Sequence, residues 1–157
     1  MKKKKIYEVN PPGSVNQVLL HTCCAPCSSA IIECLLQHDI RPTIYYCNPN
    51  IYPLEEYLIR KNECTRYAQS LGLDIIDADY DHEAWRCAVK GMEHEPERGG
   101  RCLQCFKMRL RDTARYAHDH GFSVITTTLA SSRWKSLDQI NAAGAWAVEP
   151  FDDVTWW

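Results

Sequence analysis

Four cysteines in two groups, Cys23-Cys24 and Cys102-Leu103-Gln104-Cys105, are the residues whose type and spacing could do chemistry in this chain. Thiolates are natural ligands for zinc and for iron–sulfur clusters. Cys23 and Cys24 follow an apolar run and precede Pro26, which suits the first turn of a helix. A thiol at such a position faces unpaired backbone N–H groups, which lower its pKa and favour a negatively charged thiolate centre. Cys102 and Cys105 open another helical pattern, and their three-residue spacing puts them on one face. Gly99-Gly100, just before them, would let backbone approach a bulky group. Adjacent cysteines lack the two-residue spacer of a zinc knuckle, so a cluster suits the set better than a single small ion. The remaining cysteines are weaker candidates. Cys34 and Cys64 lie on apolar helical stripes and are expected to pack, Cys47 ends a strand, Cys87 is undecided, and Cys27 is an alternative ligand.

These groups need a scaffold, and the chain supplies one in alternating segments. Short β-branched or apolar runs at 18–20, 43–47, 73–77 and 123–129 predict strands. Apolar residues at helical spacing predict helices after Pro26, over 53–71, over 82–89, from Cys102 to Gly121 and over 136–143. Such alternation implies an α/β fold, a Rossmann-like parallel sheet with helices on both faces, in which ligands sit beyond the carboxyl ends of the strands. Residues 1–15 are expected to form a flexible N-terminal arm and 16–157 a single α/β domain. That domain looks C-terminally interrupted, because Trp156-Trp157 has nothing after it to cover two large rings.

Length and charge exclude much else. The 157 residues, 45% hydrophobic and with a net charge of −2, suit one globular domain without a global basic field. Nine cysteines, an odd number with one adjacent pair, argue against a secreted disulfide framework. No apolar run reaches the roughly 18 residues of a membrane span, and 6–13 offers no signal-peptide core. A reducing cytoplasm is the expected setting.

Together, His21-Thr22-Cys23-Cys24-Ala25-Pro26, Asn48-Pro49-Asn50-Ile51, Arg101-Cys102-Leu103-Gln104-Cys105 and Thr126-Thr127-Thr128-Leu129 resemble the QueH family, the cobalamin-independent epoxyqueuosine reductases. The resemblance implies a fold like that of the adenine nucleotide alpha hydrolases. It implies a [4Fe–4S] cluster on Cys23, Cys24, Cys102 and Cys105, and reduction of an epoxide on the wobble base of tRNA, with electrons from an unidentified donor. It leaves open an additional iron. Family members also carry a Cys-x-Cys pair further along, whereas no cysteine follows Cys105 here.

Around that chemistry, His21, Tyr52 and Glu56 are candidate proton donors. Asn48, Asn50, Thr126, Thr128, Ser131, Ser132 and Lys135 are candidates for holding the substrate, with Thr127 more simply explained by strand propensity. Lys107, Arg111 and Arg115 share a helix face, with Arg98, Arg101 and Arg109 close by, and could track an RNA backbone. Tyr45, Tyr46, Tyr52 and Trp134 are aromatics on which loop bases could stack. Two other classes compete: a non-catalytic zinc-binding or dithiol module, and a nucleotide-activating enzyme of the related ATP-using fold. Against the latter, Cys23-Cys24-Ala25-Pro26 stands where a glycine-rich phosphate loop belongs.

Overall fold

The structure is a computed structural model, described here for residues 17–78, 80–96, 98–131 and 135–157. Five strands form one sheet: β1 (Gln17–Thr22), β2 (Arg41–Tyr46), β3 (Ile75–Asp77), β4 (Val124–Thr127) and β5 (Thr155–Trp156). Their order is β3-β2-β1-β4-β5, and every neighbouring pair is parallel. The helices are α1 (Ala25–Gln37), α2 (Leu54–Ser70), α3 (His82–Ala88), α4 (Gly100–His120) and α5 (Leu137–Val148), with a 3₁₀ turn at Leu129–Ser131. The expected Rossmann-like architecture is therefore present. The expected arm at 1–15, together with Ser132 and Trp134, lies outside the described residues.

Alternation along β1 shows how the layers form. Val18 and Leu20 pack with Ile32 and Leu35 of α1 and Ala68 of α2. Leu19 points the other way, to Leu110 and Ala114 of α4 and Ile140 of α5. Burying both faces suits the near-continuous apolar run of a central parallel strand. Each such leucine, fully enclosed, contributes roughly 1.5–3 kcal/mol.

Helix ends follow local chemistry. Pro26 occupies the first turn of α1, with Cys24 at the N-cap. Asp81 and Ser136 cap α3 and α5 through their side-chain oxygens. Gly121 ends α4 in the left-handed conformation at φ +79. The loop before α4 uses its glycine differently from expectation. A Cβ on Gly99 would lie 2.8 Å from the Pro96 carbonyl oxygen, so its missing side chain lets the loop close on itself rather than admitting a cofactor.

Two expectations at the C-terminal side are corrected. The last helix runs to Val148, not 143. Trp156 and Trp157 are not left uncovered: both are half-buried. Trp156 pairs with Ile125 as the edge strand β5 and packs into a space on α5 that only Gly144 leaves open. The Trp157 carbonyl accepts from Thr126 at 2.7 Å. Among the described residues, no helix is long and apolar enough to cross a membrane.

Candidate metal centre and adjoining cavity

The strand order reverses direction between β1 and β4, and the crevice beyond their carboxyl ends is where such sheets bind ligands. β1 leads into Cys23 and Cys24, and β4 into Thr128, so these residues meet at that crevice. The Cys23 amide donates to Thr128 Oγ1 at 3.4 Å, and the same hydroxyl lies 3.7 Å from Cys23 Sγ. Ser131 fastens the next turn across the gap by donating to the Cys27 carbonyl at 2.9 Å.

Three sulfurs gather here. Those of Cys23, Cys24 and Cys27 all lie within 4.8 Å of one another, a group that could hold a metal ion. Cys23 and Cys24 are hydrogen-bonded sulfur to sulfur at 4.0 Å, and that bond together with burial raises the Cys24 thiol well above its ordinary value. That hydrogen bond, the charge of Arg109, the Thr128 hydroxyl and the charge of Lys135 pull the Cys23 thiol down to about 5, against the opposing effect of burial. The Cys23 thiol is thus shifted towards the thiolate, while its hydrogen bond to Cys23 and its burial shift Cys24 the other way.

Cys102 and Cys105 stand on the first turns of α4 and line a cavity of about 260 Å³ with Asn50, Trp85, Arg109 and Lys135. Cys105 is buried, and its sulfur accepts from the Trp85 indole Nε1 at 3.2 Å and lies 3.8 Å from Arg109 Nη1. Two donors aimed at one buried sulfur would support negative charge placed there by a bound metal centre. The expected pairs are therefore arranged differently from one another: Cys23 and Cys24 form a tight group with Cys27, and Cys102 and Cys105 form a neighbouring cavity wall.

Arg109 links the two and was misjudged from the sequence, where it stood beside an RNA-facing stripe. It is 3% exposed. Its guanidinium donates to Asn48 Oδ1 at 2.5 Å and to the Cys47 carbonyl at 3.4 Å. The available signal was helical spacing, because Arg109 falls three residues after Phe106 and four after Cys105, on the buried stripe of α4.

His21 is also corrected. It is fully buried, with Nε2 2.8 Å from the Cys47 carbonyl and Nδ1 2.9 Å from Thr127 Oγ1. A carbonyl only accepts, so the ring proton of a neutral imidazole sits on Nε2, and Nδ1 accepts from Thr127 Oγ1, which itself accepts from the Leu129 amide at 3.1 Å. Nε2–H then donates to the carbonyl. Burial and the nearby Arg109 charge lower the imidazole pKa to about 3, so His21 stays neutral and holds the crevice in shape rather than donating a proton.

The other candidates divide. Asn48, Thr128, Ser131, Asn50 and Lys135 surround the crevice or line the cavity. Thr126 points to the opposite face, where its hydroxyl binds Trp157 and it lines a groove with Cys34. Glu56 is committed to Arg60 at 2.8 Å in an exposed ion pair. Tyr52 is 72% exposed and stacks on His82, which in turn stacks on Trp85.

The basic stripe is not a free one. Arg111 lies 3.6 Å from the Trp146 ring centre and donates to its carbonyl at 2.8 Å, Lys107 lies 5.2 Å from the same ring, and Arg115 is 3.9 Å from Asp112. Tyr45 and Tyr46 are buried and offer no stacking face. Tyr45 and Cys47 both donate to Asp112, at 2.7 and 3.4 Å.

The family model described as epoxyqueuosine reductase QueH matches residues 18–157. An epoxyqueuosine reductase QueH of Haemophilus influenzae is 54% identical over 146 residues, covering 93% of this chain and 60% of that protein. One of Acinetobacter baylyi is 45% identical over 157 residues, covering 100% and 72%. One of Staphylococcus epidermidis is 36% identical over 151 residues, covering 90% and 63%. The chain thus spans less than two thirds of the length of several relatives it matches. With the match running unbroken from the first described strand through both cysteine groups to β5, the chain belongs to the QueH family.

Proposed function

We infer that the chain is the cysteine-bearing core of an epoxyqueuosine reductase that acts on tRNA carrying epoxyqueuosine at the wobble position and takes electrons from a separate donor, still unidentified. The observation that carries this is the buried Arg109, whose charge reaches both Cys23 and Cys105. A buried cation without a carboxylate among its described partners is costly unless anions face it. The sulfurs of Cys23 and Cys105 are the groups placed to answer it.

The donor set fits a [4Fe–4S] cluster held by Cys23, Cys24, Cys102 and Cys105. All four are thiols, Arg109 and Lys135 stand by to offset the negative charge, and Cys105 already has two donors aimed at its sulfur. Such a cluster supplies electrons one at a time at a potential tuned by nearby charge and hydrogen bonds. Removing an epoxide oxygen to leave an alkene takes two electrons and two protons and releases water. The protein's share is to place the substrate in the cavity beside Cys102 and Cys105 and to bring protons to it. Lys135 Nζ is the donor on that wall. His21, neutral and doubly hydrogen-bonded, fixes the Cys47 carbonyl on which Arg109 also rests. A tRNA substrate sets the reaction in the cytoplasm.

A mononuclear zinc centre is the second reading, favoured by the Cys23, Cys24 and Cys27 sulfurs lying within 4.8 Å. Tetrahedral Zn–S bonds of about 2.3 Å impose sulfur separations of roughly 3.8 Å, close to that spacing. Anaerobic reconstitution with iron and sulfide, metal analysis and mass spectrometry of epoxyqueuosine-tRNA under a chemical reductant separate the two. About four irons per chain and conversion to queuosine support the reductase. Stoichiometric zinc in a colourless protein without conversion supports the module.

A further inference from the structure

Three rings stack outward from the cysteine cavity. Trp85 lines that cavity, and its ring centre lies 5.4 Å from that of His82, which lies 5.0 Å from that of Tyr52. Successive planes are tilted by only 21° and 24°. The two inner rings are fixed by their polar edges: Trp85 Nε1 donates to Cys105 Sγ at 3.2 Å, and His82 Nδ1 lies 2.7 Å from the Pro49 carbonyl. Tyr52 ends the series. It is 72% exposed and stacks on His82 alone among the described rings, which leaves its second face open.

Trp85 and His82 also line a groove of about 480 Å³ along α3, so the stack and the groove run side by side. Arg86, Lys90 and Arg101 stand in that groove against Glu83 and Glu93, and Arg101 borders the cysteine cavity as well. Glu83 is already paired with Arg86 at 3.1 Å. The groove thus carries a surplus of positive charge in a chain whose net charge is −2. Ring faces beside a cationic groove are the combination that holds single-stranded nucleic acid, with bases stacked and phosphates following the charge.

We propose that Tyr52 is the stacking platform for a base flanking the target nucleotide, with the connecting phosphates carried along α3 by Lys90 and Arg101. This rests on the assignment of a tRNA loop as substrate, and it concerns the neighbour of the reacting base. Drawing one base of a loop towards the cysteine wall unstacks the bases on either side of it, and the Tyr52 ring replaces one of the lost contacts. Because every base has a flat face, the contact adds affinity and fixes the position of the strand without reading sequence.

The test measures binding of the iron-loaded chain to an anticodon stem-loop and to two versions made abasic immediately before or after the wobble position. Tyr52→Ala should bind the intact loop about tenfold more weakly than wild type, the effect of one lost base–aromatic stack. Tyr52→Phe should bind as wild type does. On one of the two abasic loops wild type and Tyr52→Ala should bind alike, because the partner base is gone. Lys90→Ala should reduce the slope of log affinity against log salt by about 0.7, as for one phosphate of a single strand, and Tyr52→Ala should leave it unchanged. Iron content and melting temperature identify the variants that remain folded. Equal affinity of wild type and folded Tyr52→Ala for the intact loop overturns the proposal, as does a loss that persists on both abasic loops. A salt slope unchanged in Lys90→Ala overturns the phosphate track. Catalysis is read separately on epoxyqueuosine-tRNA under a chemical reductant. A chain that stacks the flanking base but converts no substrate refutes only the reductase assignment. One that converts it while Tyr52→Ala binds as wild type refutes only the platform.

Discussion

Arg109 Nη1 lies 3.8 Å from Cys105 Sγ, one helical turn along α4, and the same side chain lowers the Cys23 thiol from across the crevice. Removing that cation should weaken the centre without removing a ligand. Arg109→Leu is expected to retain iron about 10- to 100-fold less tightly, the usual effect of losing a group that supports metal ligands. Arg109→Lys should recover part of this, since it restores charge but not the planar fork that also holds Asn48 and the Cys47 carbonyl. Iron retention under a chelator measures both.

Cys24→Ala and Cys105→Ala should each abolish retention of a cluster on anaerobic reconstitution, while Cys34→Ala, in the groove on the opposite face, should not. Cys27→Ala discriminates between the two sulfur sets. Its sulfur belongs to the tight group, so loss of zinc binding with iron loading unchanged would show that the cluster relies on Cys102 and Cys105 instead.

Gly144→Ala should destabilise the fold at a distance from the cysteines. The added methyl would sit 2.1 Å from Trp156 Cδ2, so the ring or α5 must shift. Overpacking of this kind costs roughly 1–3 kcal/mol. Chemical denaturation should show a lower midpoint, and the slope should hold if only the native state is strained.

His21 gives the metal-free chain an acid sensitivity of predictable sign. Its imidazole is lowered to about 3 in the fold, from 6.5 for an unperturbed side chain. The unfolded chain therefore takes up the proton first, so the contribution is complete above 6.5 and is lost as pH falls from 6.5 to about 3. The loss is on the order of a few kcal/mol. His21→Gln should flatten the dependence of unfolding free energy on pH in that window, even if it lowers stability at neutral pH.

Much of the scaffold was legible because strong local signals agree with the fold. The apolar run at 18–20, Pro26 and the stop at Gly121 all mark elements that the structure contains. The cysteine groups were legible by chemistry and position, though not their separation into a tight trio and a cavity wall. That depends on the angle between α1 and α4, which no local pattern encodes. β5 was missed because two residues cannot show a period, and tryptophan is as compatible with a surface as with an edge strand. Arg109 was grouped with its exposed neighbours because charge outweighed its place on the apolar stripe. Gln139 left no trace at all. Its amide binds two carbonyls some 40 positions earlier in the chain.

Asp112 does for Cys47 the reverse of what Arg109 does for Cys23. Burial and that carboxylate push the Cys47 thiol well above its ordinary value, and burial raises Cys64 to about 12. The fold thus sets Cys23 apart from Cys47 and Cys64 before any metal arrives. An alkylating reagent at neutral pH should find Cys23 first and leave Cys47 and Cys64 intact. Two of the nine thiols, Cys47 and Cys64, are thereby kept from competing for a metal.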